Sequence, residues 1–246
     1  MKRREILAKL TGMMLAGAMV MTMAPLTALA DEAGEWREED GNLYWYENGV
    51  KQGTEGRGKE IYDPASDAWY WLDSVDGGRK AVGKDVYQES LAGEWGDATN
   101  DAGERIGKWV RYDADGHMVK GWQTTAKKEK RYFKSNGQML TGWFTDSKGY
   151  TRYFNTSTGI MYTGLKTVDG NIYYFSKTSG VRYQKGFGKV GSKRYYFSTT
   201  DGKAQTGWLS LDGNSYYFGT TGVMYVNTTA SIGGKTYAFD SNGVAS

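Results

Sequence analysis

The 246-residue sequence contains no cysteine, two prolines and a single histidine, His117. Without cysteine the chain has no disulfide, no thiolate metal ligand and no cysteine nucleophile. One histidine excludes a zinc site built on several imidazoles, and any Ser-His-Asp triad would have to use it. Because His117 follows Asp113-Ala114-Asp115-Gly116, a sequence typical of an exposed turn, we expect no catalytic residue, no bound metal and no cofactor.

Long apolar runs are confined to the N-terminus. Residues 2–4 are basic, an apolar stretch follows over about residues 10–26, and Ala28-Leu29-Ala30 supplies the small-x-small pattern of a signal-peptidase site. The apolar stretch is short for a membrane span, and no second run of roughly 18 apolar residues follows it. We therefore expect residues 1–30 to be a cleaved signal peptide, Asp31 to begin the mature chain, and the protein to be secreted with no membrane span.

Net charge gives no argument for a nucleic-acid partner. The chain has 31 basic and 28 acidic residues, but the predicted signal peptide contains four of the basic and one of the acidic residues, which leaves 27 of each. Nucleic-acid binding requires a clustered positive face. A small acidic loop at Asp97, Asp101 and Glu104 lacks the glycine and ligand spacing of an EF-hand, so we assign no calcium site to it.

Aromatic residues and glycine dominate what is present: 9 Trp, 19 Tyr, 8 Phe and 35 Gly. Aliphatic cores do not have this composition, whereas short strands with glycine turns and aromatic cross-strand pairs do. Five glycines begin copies of a repeat at intervals of 21, 22, 22 and 21 residues. These are Gly121, Gly142, Gly164, Gly186 and Gly207.

Each copy contains an aromatic triplet between two polar turns, and the sequence predicts a strand, a tight turn and a second strand. The triplets are Arg131-Tyr132-Phe133, Arg152-Tyr153-Phe154, Tyr173-Tyr174-Phe175, Tyr195-Tyr196-Phe197 and Tyr216-Tyr217-Phe218. Asp169-Gly170 and Asp212-Gly213 are typical tight-turn dipeptides. One hairpin cannot bury its aromatic face alone. We therefore predict an all-β solenoid of stacked β-hairpins of about 21 residues over 121–246, with a partial copy at Tyr237-Ala238-Phe239 as its cap.

The region 31–120 contains looser copies, at Tyr44-Trp45-Tyr46, Trp69-Tyr70-Trp71 and Trp109-Val110-Arg111-Tyr112. An insertion from Val82 to Arg105 is polar and is compatible with a long loop or a bent hairpin. We interpret 31–120 as an irregular extension of the array, with a separate small domain as the alternative.

The repeated pattern Gly-Trp, Asp-Gly-Asn-x-Tyr-Tyr-Phe and x-x-x-Gly-x-Met-x-x-Gly resembles the cell-wall-binding (choline-binding) repeats of Gram-positive surface proteins. It is also similar to the glucan-binding repeats of streptococcal glucosyltransferases and to the C-terminal repeats of clostridial toxins. The resemblance covers nearly all of the predicted mature chain. It implies a β-hairpin superhelix with ligand sites between consecutive hairpins, each lined by aromatics of two neighbouring repeats.

In the choline-binding members a tryptophan preceding the triplet forms one wall of the choline cage. Here only Trp69 and Trp109 keep an aromatic at that position, and the regular repeats have Lys130, Thr151, Ile172, Arg194 and Ser215. The resemblance therefore implies an incomplete choline cage in most regular repeats, which fit the glucan-type or toxin-type sugar-binding variant better.

Ring faces bind quaternary ammonium groups by cation–π attraction, and sugar rings stack on the same side chains. The resemblance implies that three tryptophans after glycine, the central triplet tyrosines, one N-terminal tryptophan and two methionines contact a choline or sugar ligand. These are Trp122, Trp143, Trp208, Tyr132, Tyr153, Tyr174, Tyr196, Tyr217, Trp109, Met139 and Met161. Packing is the alternative role for each aromatic, since strand alternation places Tyr173 and Phe175 on one face and Tyr174 on the other.

These observations favour a non-catalytic, secreted, cell-wall-associated protein that binds a wall polymer, either choline-substituted teichoic acid or a glycan. Many weak sites along one array suit a repetitive polymer, because tethering raises the effective affinity. The alternative is a structural or adhesive scaffold whose N-terminal region contacts a protein partner. A third hypothesis, an enzyme domain within 31–120, lacks a catalytic constellation.

Overall fold

The computed structural model describes residues 34–88 and 107–246. The predicted signal peptide, the predicted start at Asp31 and the acidic loop at Asp97, Asp101 and Glu104 lie outside the described residues. Within the described part, the structure is built from strands and one short 3₁₀ helix, Ser74–Asp76. It contains no helix with the length and apolar character needed to cross a bilayer.

The first six strands form one antiparallel sheet. They are β1 (Glu35–Glu39), β2 (Asn42–Glu47), β3 (Val50–Lys51), β4 (Lys59–Asp63), β5 (Ala68–Asp73) and β6 (Arg79–Lys80). The strand order is β1-β2-β6-β5-β4, with β3 pairing β2. Trp45, Ile61, Tyr70 and Leu72 form its buried core.

Seven two-stranded antiparallel hairpins follow this sheet. Their strands are β7 (Asp85–Gln88) and β8 (Lys108–Arg111), β9 (Gly121–Thr124) and β10 (Lys130–Phe133), β11 (Gly142–Thr145) and β12 (Thr151–Phe154), β13 (Gly164–Val168) and β14 (Asn171–Phe175), β15 (Gly186–Val190) and β16 (Lys193–Phe197), β17 (Gly207–Leu211) and β18 (Asn214–Phe218), and β19 (Thr228–Ile232) and β20 (Lys235–Phe239). Part of the polar insertion predicted from Val82 is thus strand β7.

The tight turns have the geometry that their sequences predict. Asp169 and Gly170 both have positive φ, 48° and 75°, which matches the right-handed twist of the flanking strands. The turn then fixes the register that pairs Gly164 with Phe175 and Leu165 with Tyr174.

Backbone hydrogen bonds join each hairpin to the one before it. After the triplet the chain turns back, and one residue pairs with the last triplet aromatic; we call this the bridge position. Its amide donates to the carbonyl that precedes the triplet of the preceding hairpin, as from Met161 to Lys130 and from Met224 to Arg194, both at 2.8 Å. The bridge residues of the last six hairpins are Met139, Met161, Arg182, Ala204, Met224 and Ala245.

A column of phenylalanines forms the core of the array. The last triplet residues of five successive hairpins are at most 1% exposed: Phe133, Phe154, Phe175, Phe197 and Phe218. The predicted all-β stack of hairpin repeats is confirmed by this arrangement. The copy predicted to be partial has a complete hairpin, β19 and β20, and the same bond, from Ala245 to Ser215.

Candidate functional site

Consecutive hairpins stack front to back, so aromatic side chains from two repeats meet at each interface. The ring of Trp143 lies 5.0 Å from Tyr153 of its own hairpin. It also lies 5.0 Å from Tyr173 and 6.0 Å from Phe175 of the next hairpin. The face with Trp143 and Tyr153 therefore packs on the face with Tyr173 and Phe175. Both faces of each strand contribute to packing, as the alternation requires.

The side chain after each repeat-starting glycine is the exposed member of the interface; we call this the Gly-Trp position. It is occupied by Trp122, Trp143, Leu165, Phe187 and Trp208, which are 48, 40, 37, 41 and 39% exposed. These large apolar side chains are thus accessible to solvent at regular intervals along the array.

The central tyrosine of each triplet pairs with this side chain across the hairpin. Trp122 and Tyr132 are 5.1 Å apart, as are Trp208 and Tyr217. Tyr196 is 5.1 Å from Phe187, and Tyr174 stands opposite Leu165. The predicted tryptophans and tyrosines thus meet in pairs within single hairpins.

The wall contributed by the following hairpin differs from the expected one. It comes from the first triplet residue, and not from the residue before the triplet. Tyr216 lies 5.1 Å from Phe187, and Tyr237 lies 4.7 Å from Trp208. We call this the wall position. In successive hairpins from β10 to β20 it is occupied by Arg131, Arg152, Tyr173, Tyr195, Tyr216 and Tyr237.

The predicted methionines occupy bridge positions and are buried. Met139 and Met161 are 7% and 6% exposed, and each lies under the turn glycine of the following hairpin, Gly159 and Gly180 respectively. Met224, which the repeat pattern places at the equivalent position, is 4% exposed.

One interface forms an open cavity with aromatic walls, which we call the Phe187 cage. Its volume is about 470 Å³, and Phe187, Tyr195, Tyr216 and Met224 line it. Tyr195 and Met224 are each 4% exposed and form the floor, while Phe187 forms an accessible wall. Ring faces and a polarizable thioether are the surfaces that attract a quaternary ammonium group.

Two cationic side chains line the same cavity, Lys189 and Arg194, together with Asn242. The Arg194 guanidinium also donates to the backbone carbonyl of Ser241 at 2.8 Å. A ligand that joins an ammonium group to an anionic group matches this arrangement, because the anion can lie at the cationic side chains while the ammonium meets the rings.

Sequence reasoning missed Phe187 and Tyr216 because it looked for tryptophan at the first position and placed the wall one residue too early. Strand alternation contained the missing signal. The wall residue must lie on the same face as the buried triplet phenylalanine, two residues away. Tyr216 meets that condition relative to Phe218, and Ser215 does not.

A second cavity, of about 380 Å³, offers no free ring face. Lys128, Lys130, Lys166 and Lys177 line it together with Glu129 and Tyr162. The Lys166 ammonium already lies 5.4 Å from the centroid of Tyr162. Its chemistry is polar, so it does not suit a quaternary ammonium ligand.

The predicted candidate Trp109 lies in a third cavity, of about 440 Å³, with Trp71 and Tyr87. Trp109 is 43% exposed, and its ring is 5.3 Å from Tyr87. These two side chains face each other across one hairpin. The structure therefore separates Trp109 from the interfaces of the regular array.

The turn at His117 is explained by backbone capping. Ligand atoms of Asp113, Asp115 and His117 lie within 4.8 Å of one another. However, Asp113 Oδ1 accepts the backbone amides of Asp115 and His117, at 3.0 and 2.9 Å, as turn aspartates do. The imidazole packs on Tyr70, with ring centroids 5.3 Å apart.

Family models match parts of the regular array. Residues 125–164 and 184–228 match a model described as a choline-binding repeat. Residues 163–181 match a model described as a putative cell wall binding repeat. No curated protein shows significant similarity to the chain.

Solved structures with the same fold include choline binding protein F from Streptococcus pneumoniae. Its crystal form II is 26% identical, with a TM-score of 0.59 over 83% of this chain and 61% of that chain. A structure of CbpF in complex with ipratropium, obtained by soaking, is 26% identical with a TM-score of 0.60, over 83% and 62% of the two chains. The chain thus spans less than two thirds of the length of these relatives.

Proposed function

Because the repeats of this chain belong to the choline-binding repeat family, we propose that it is a non-catalytic surface protein that binds choline-bearing cell-wall polymers. The Phe187 cage is the principal site. The supporting observation is its cavity, where two rings from consecutive hairpins, a buried tyrosine and a buried methionine converge.

The chemistry of choline fits this cage. Its quaternary ammonium donates no hydrogen bond and is weakly hydrated, so ring faces can replace its water with cation–π attraction of about 0.5–2 kcal/mol per ring. In a choline phosphodiester the neighbouring phosphate is anionic. Lys189 and Arg194, at the same cavity, supply the complementary charge.

A second, weaker site is formed by Trp208 and Tyr237. Their rings are 4.7 Å apart, and Trp208 is 39% exposed. The bridge residue there is Ala245, which provides no thioether. Two weak sites on one array suit a polymer with repeated choline groups, because binding at the first raises the effective concentration at the second.

We propose that the protein is secreted and associated with the cell wall, and that the array over 121–246 attaches it to the wall polymer. Support comes from the matched repeats and from the name of the relative with the same fold, choline binding protein F. The predicted division at residue 120 and the absence of catalysis are part of this proposal.

Calorimetric titration of the protein with choline tests the site. We expect saturable binding, and binding at least about tenfold weaker for 3,3-dimethylbutan-1-ol, in which a neutral carbon replaces the ammonium nitrogen. Phe187→Ala should lower the affinity of the principal site by about two- to thirtyfold. Leu165→Ala is the matched control, since Leu165 occupies the equivalent position with similar exposure, 37% against 41%.

Three outcomes would contradict the proposal. Equal binding of choline and the neutral alcohol would show that the charge is not recognised. No binding of choline, with saturable binding of a glucan oligosaccharide, would identify the array as a sugar-binding variant. If neither ligand binds, the scaffold alternative is favoured.

A further inference from the structure

Two further interfaces have an exposed tryptophan at the Gly-Trp position, Trp122 and Trp143, and an arginine side chain lies over the ring of each. We infer that the protein's own arginines, Arg152 and Arg182, occupy the cation sites of these interfaces and so set the number of choline sites in the array. This inference rests on the proposed function.

Arg182 covers the ring that an ammonium ligand would use. Its Cζ lies 5.4 Å from the centroid of Trp143, within the range of cation–π attraction. Arg182 is a bridge residue, at the position that Met224 occupies in the Phe187 cage. A guanidinium therefore replaces a neutral thioether at an interface that has both rings, Trp143 and Tyr173, in place.

The surroundings of Arg182 hold its guanidinium at this ring. Its Nε is buried and has no hydrogen-bond partner among the described residues, as expected for a guanidinium that faces a ring. One terminal nitrogen donates to Gln184 Oε1 at 2.8 Å. The side chain runs under Gly202, where an added Cβ would lie 2.9 Å from Arg182 Cδ.

Arg152 closes the interface of Trp122 from the wall position. Its Cζ is 5.8 Å from the centroid of Trp122. It is held by Asp146 at 2.8 Å and by the carbonyl of Ser179 at 3.0 Å. One hairpin earlier, the wall residue Arg131 pairs with Asp85 at 2.9 Å, and Asp85 stands where the later hairpins have the Gly-Trp side chain.

The two arginines and a choline ammonium carry the same charge and require the same ring face, so they exclude each other. The array therefore has an open cage where the bridge residue is Met224 and the wall is Tyr216. It has closed cages where an arginine takes either position. Arg152 and Arg182 are thus specificity-determining residues.

Arg182→Met tests the inference, because methionine already occupies four other bridge positions, Met118, Met139, Met161 and Met224. The Phe187→Ala background weakens the principal site. In this background, Arg182→Met should add one choline site in calorimetric titration, and a further Trp143→Ala change should remove it. Arg182→Lys is the matched control, since it retains a cation and should add no site.

A second readout needs no ligand. The ring current of Trp143 should shift the NMR resonances of the Arg182 side chain upfield, and Trp143→Leu should abolish that shift. If the unchanged protein binds choline at Phe187 but Arg182→Met adds no site, the inference is overturned and the proposed function stands. If neither the unchanged protein nor any variant binds choline, the proposed function fails. If the Arg182 resonances show no upfield shift, the inference that Arg182 covers the Trp143 ring is overturned.

Discussion

Gly180 lies against Met161 of the preceding hairpin with no room for a carbon atom between them. A Cβ on Gly180 would be 2.3 Å from Met161 Sδ. The same contact recurs between Gly159 and Met139, where the distance would be 2.4 Å. The turn glycine of one hairpin therefore packs directly on the bridge side chain of the preceding hairpin.

Gly180→Ala should destabilise the protein by about 2–5 kcal/mol. A non-glycine residue at positive φ costs about 1–2 kcal/mol, Gly180 has φ of 67°, and overpacking adds about 1–3 kcal/mol. Urea denaturation measures the free energy of unfolding. Gly170→Ala is the matched control, because Gly170 has φ of 75° and nothing within 4 Å of an added Cβ.

The clash can be separated from the backbone strain by the double variant Gly180→Ala with Met161→Ala. If the clash contributes, the two changes together cost less than the sum of the single changes. Equal costs for Gly180→Ala and Gly170→Ala would show that the contact with Met161 has no energetic weight.

Ala245→Met should strengthen choline binding at the Trp208 and Tyr237 rings. Ala245 occupies the bridge position that Met224 occupies in the Phe187 cage. A thioether contributes about 0.3–1.5 kcal/mol at a ring edge, so the affinity should rise by about two- to tenfold. Titration in the Phe187→Ala background measures it with the principal site weakened.

Ala204→Met is the matched control for that change. Ala204 is also a bridge residue, but its interface has Leu165 at the Gly-Trp position and only one ring, Tyr195, at the wall. A gain in choline affinity from Ala204→Met equal to that from Ala245→Met would mean that two facing rings are not required.

The hairpins and their stacking could be predicted from the sequence because each copy carries its own turn and strand signals. Asp169-Gly170 predicts a tight turn by itself, and the alternation of Tyr173, Tyr174 and Phe175 assigns the two strand faces. A single repeat cannot show which of its two strand faces packs on which face of the next hairpin. Both faces are aromatic, so the partner of Trp143 in the next hairpin became identifiable only from the stack.

The identity of the cage residues depended on that missing step. Phe187 departs from the Gly-Trp pattern, so the sequence did not identify it as a ligand-binding residue, although its interface has the open cavity. Arg182 also departs from the pattern, at a bridge position where methionine was expected. Departures from a repeat are weak signals in sequence, because exposed positions also vary freely.

Asp146→Asn should destabilise the protein at neutral pH and have little effect in acid. The hydrogen bond from the Arg152 guanidinium holds the pKa of the Asp146 carboxyl below its ordinary value of 3.8. The stabilising contribution is therefore present above the ordinary value and is lost as the pH falls through the lowered pKa. Thermal unfolding of both proteins between pH 2 and pH 7 measures the difference.

Asp169→Asn serves as the control for this pH dependence. Asp169 lies in a tight turn at φ of 48° and makes no ion pair with any described residue. Thermal unfolding of Asp169→Asn over the same range, pH 2 to pH 7, gives the effect of replacing a turn carboxylate that has no such ion pair. A constant difference for Asp146→Asn over the whole acid range would show that its ion pair with Arg152 does not stabilise the fold.

Tyr112 is fully buried between the N-terminal sheet and the first hairpin. Because of this burial, we expect the protein to lose stability at high pH. Gln88 Nε2 donates to its hydroxyl at 2.8 Å, and the hydroxyl donates to Glu60 Oε1 at 3.4 Å. Burial, and then the charge of Glu60, raise the pKa of Tyr112 far above its ordinary value of 10.0. The folded protein therefore keeps this phenol neutral where the unfolded chain ionises it.

Tyr112→Phe should cost about 1 kcal/mol at neutral pH, since it removes the oxygen that accepts from Gln88. Because the folded pKa is raised, the contribution of Tyr112 is complete below pH 10 and declines as the pH rises above it. The stability difference between the native protein and Tyr112→Phe should therefore shrink or change sign between pH 9 and pH 11, as urea denaturation at each pH can measure. A difference that stays constant over this range would show that burial does not raise the pKa of Tyr112 in the folded protein.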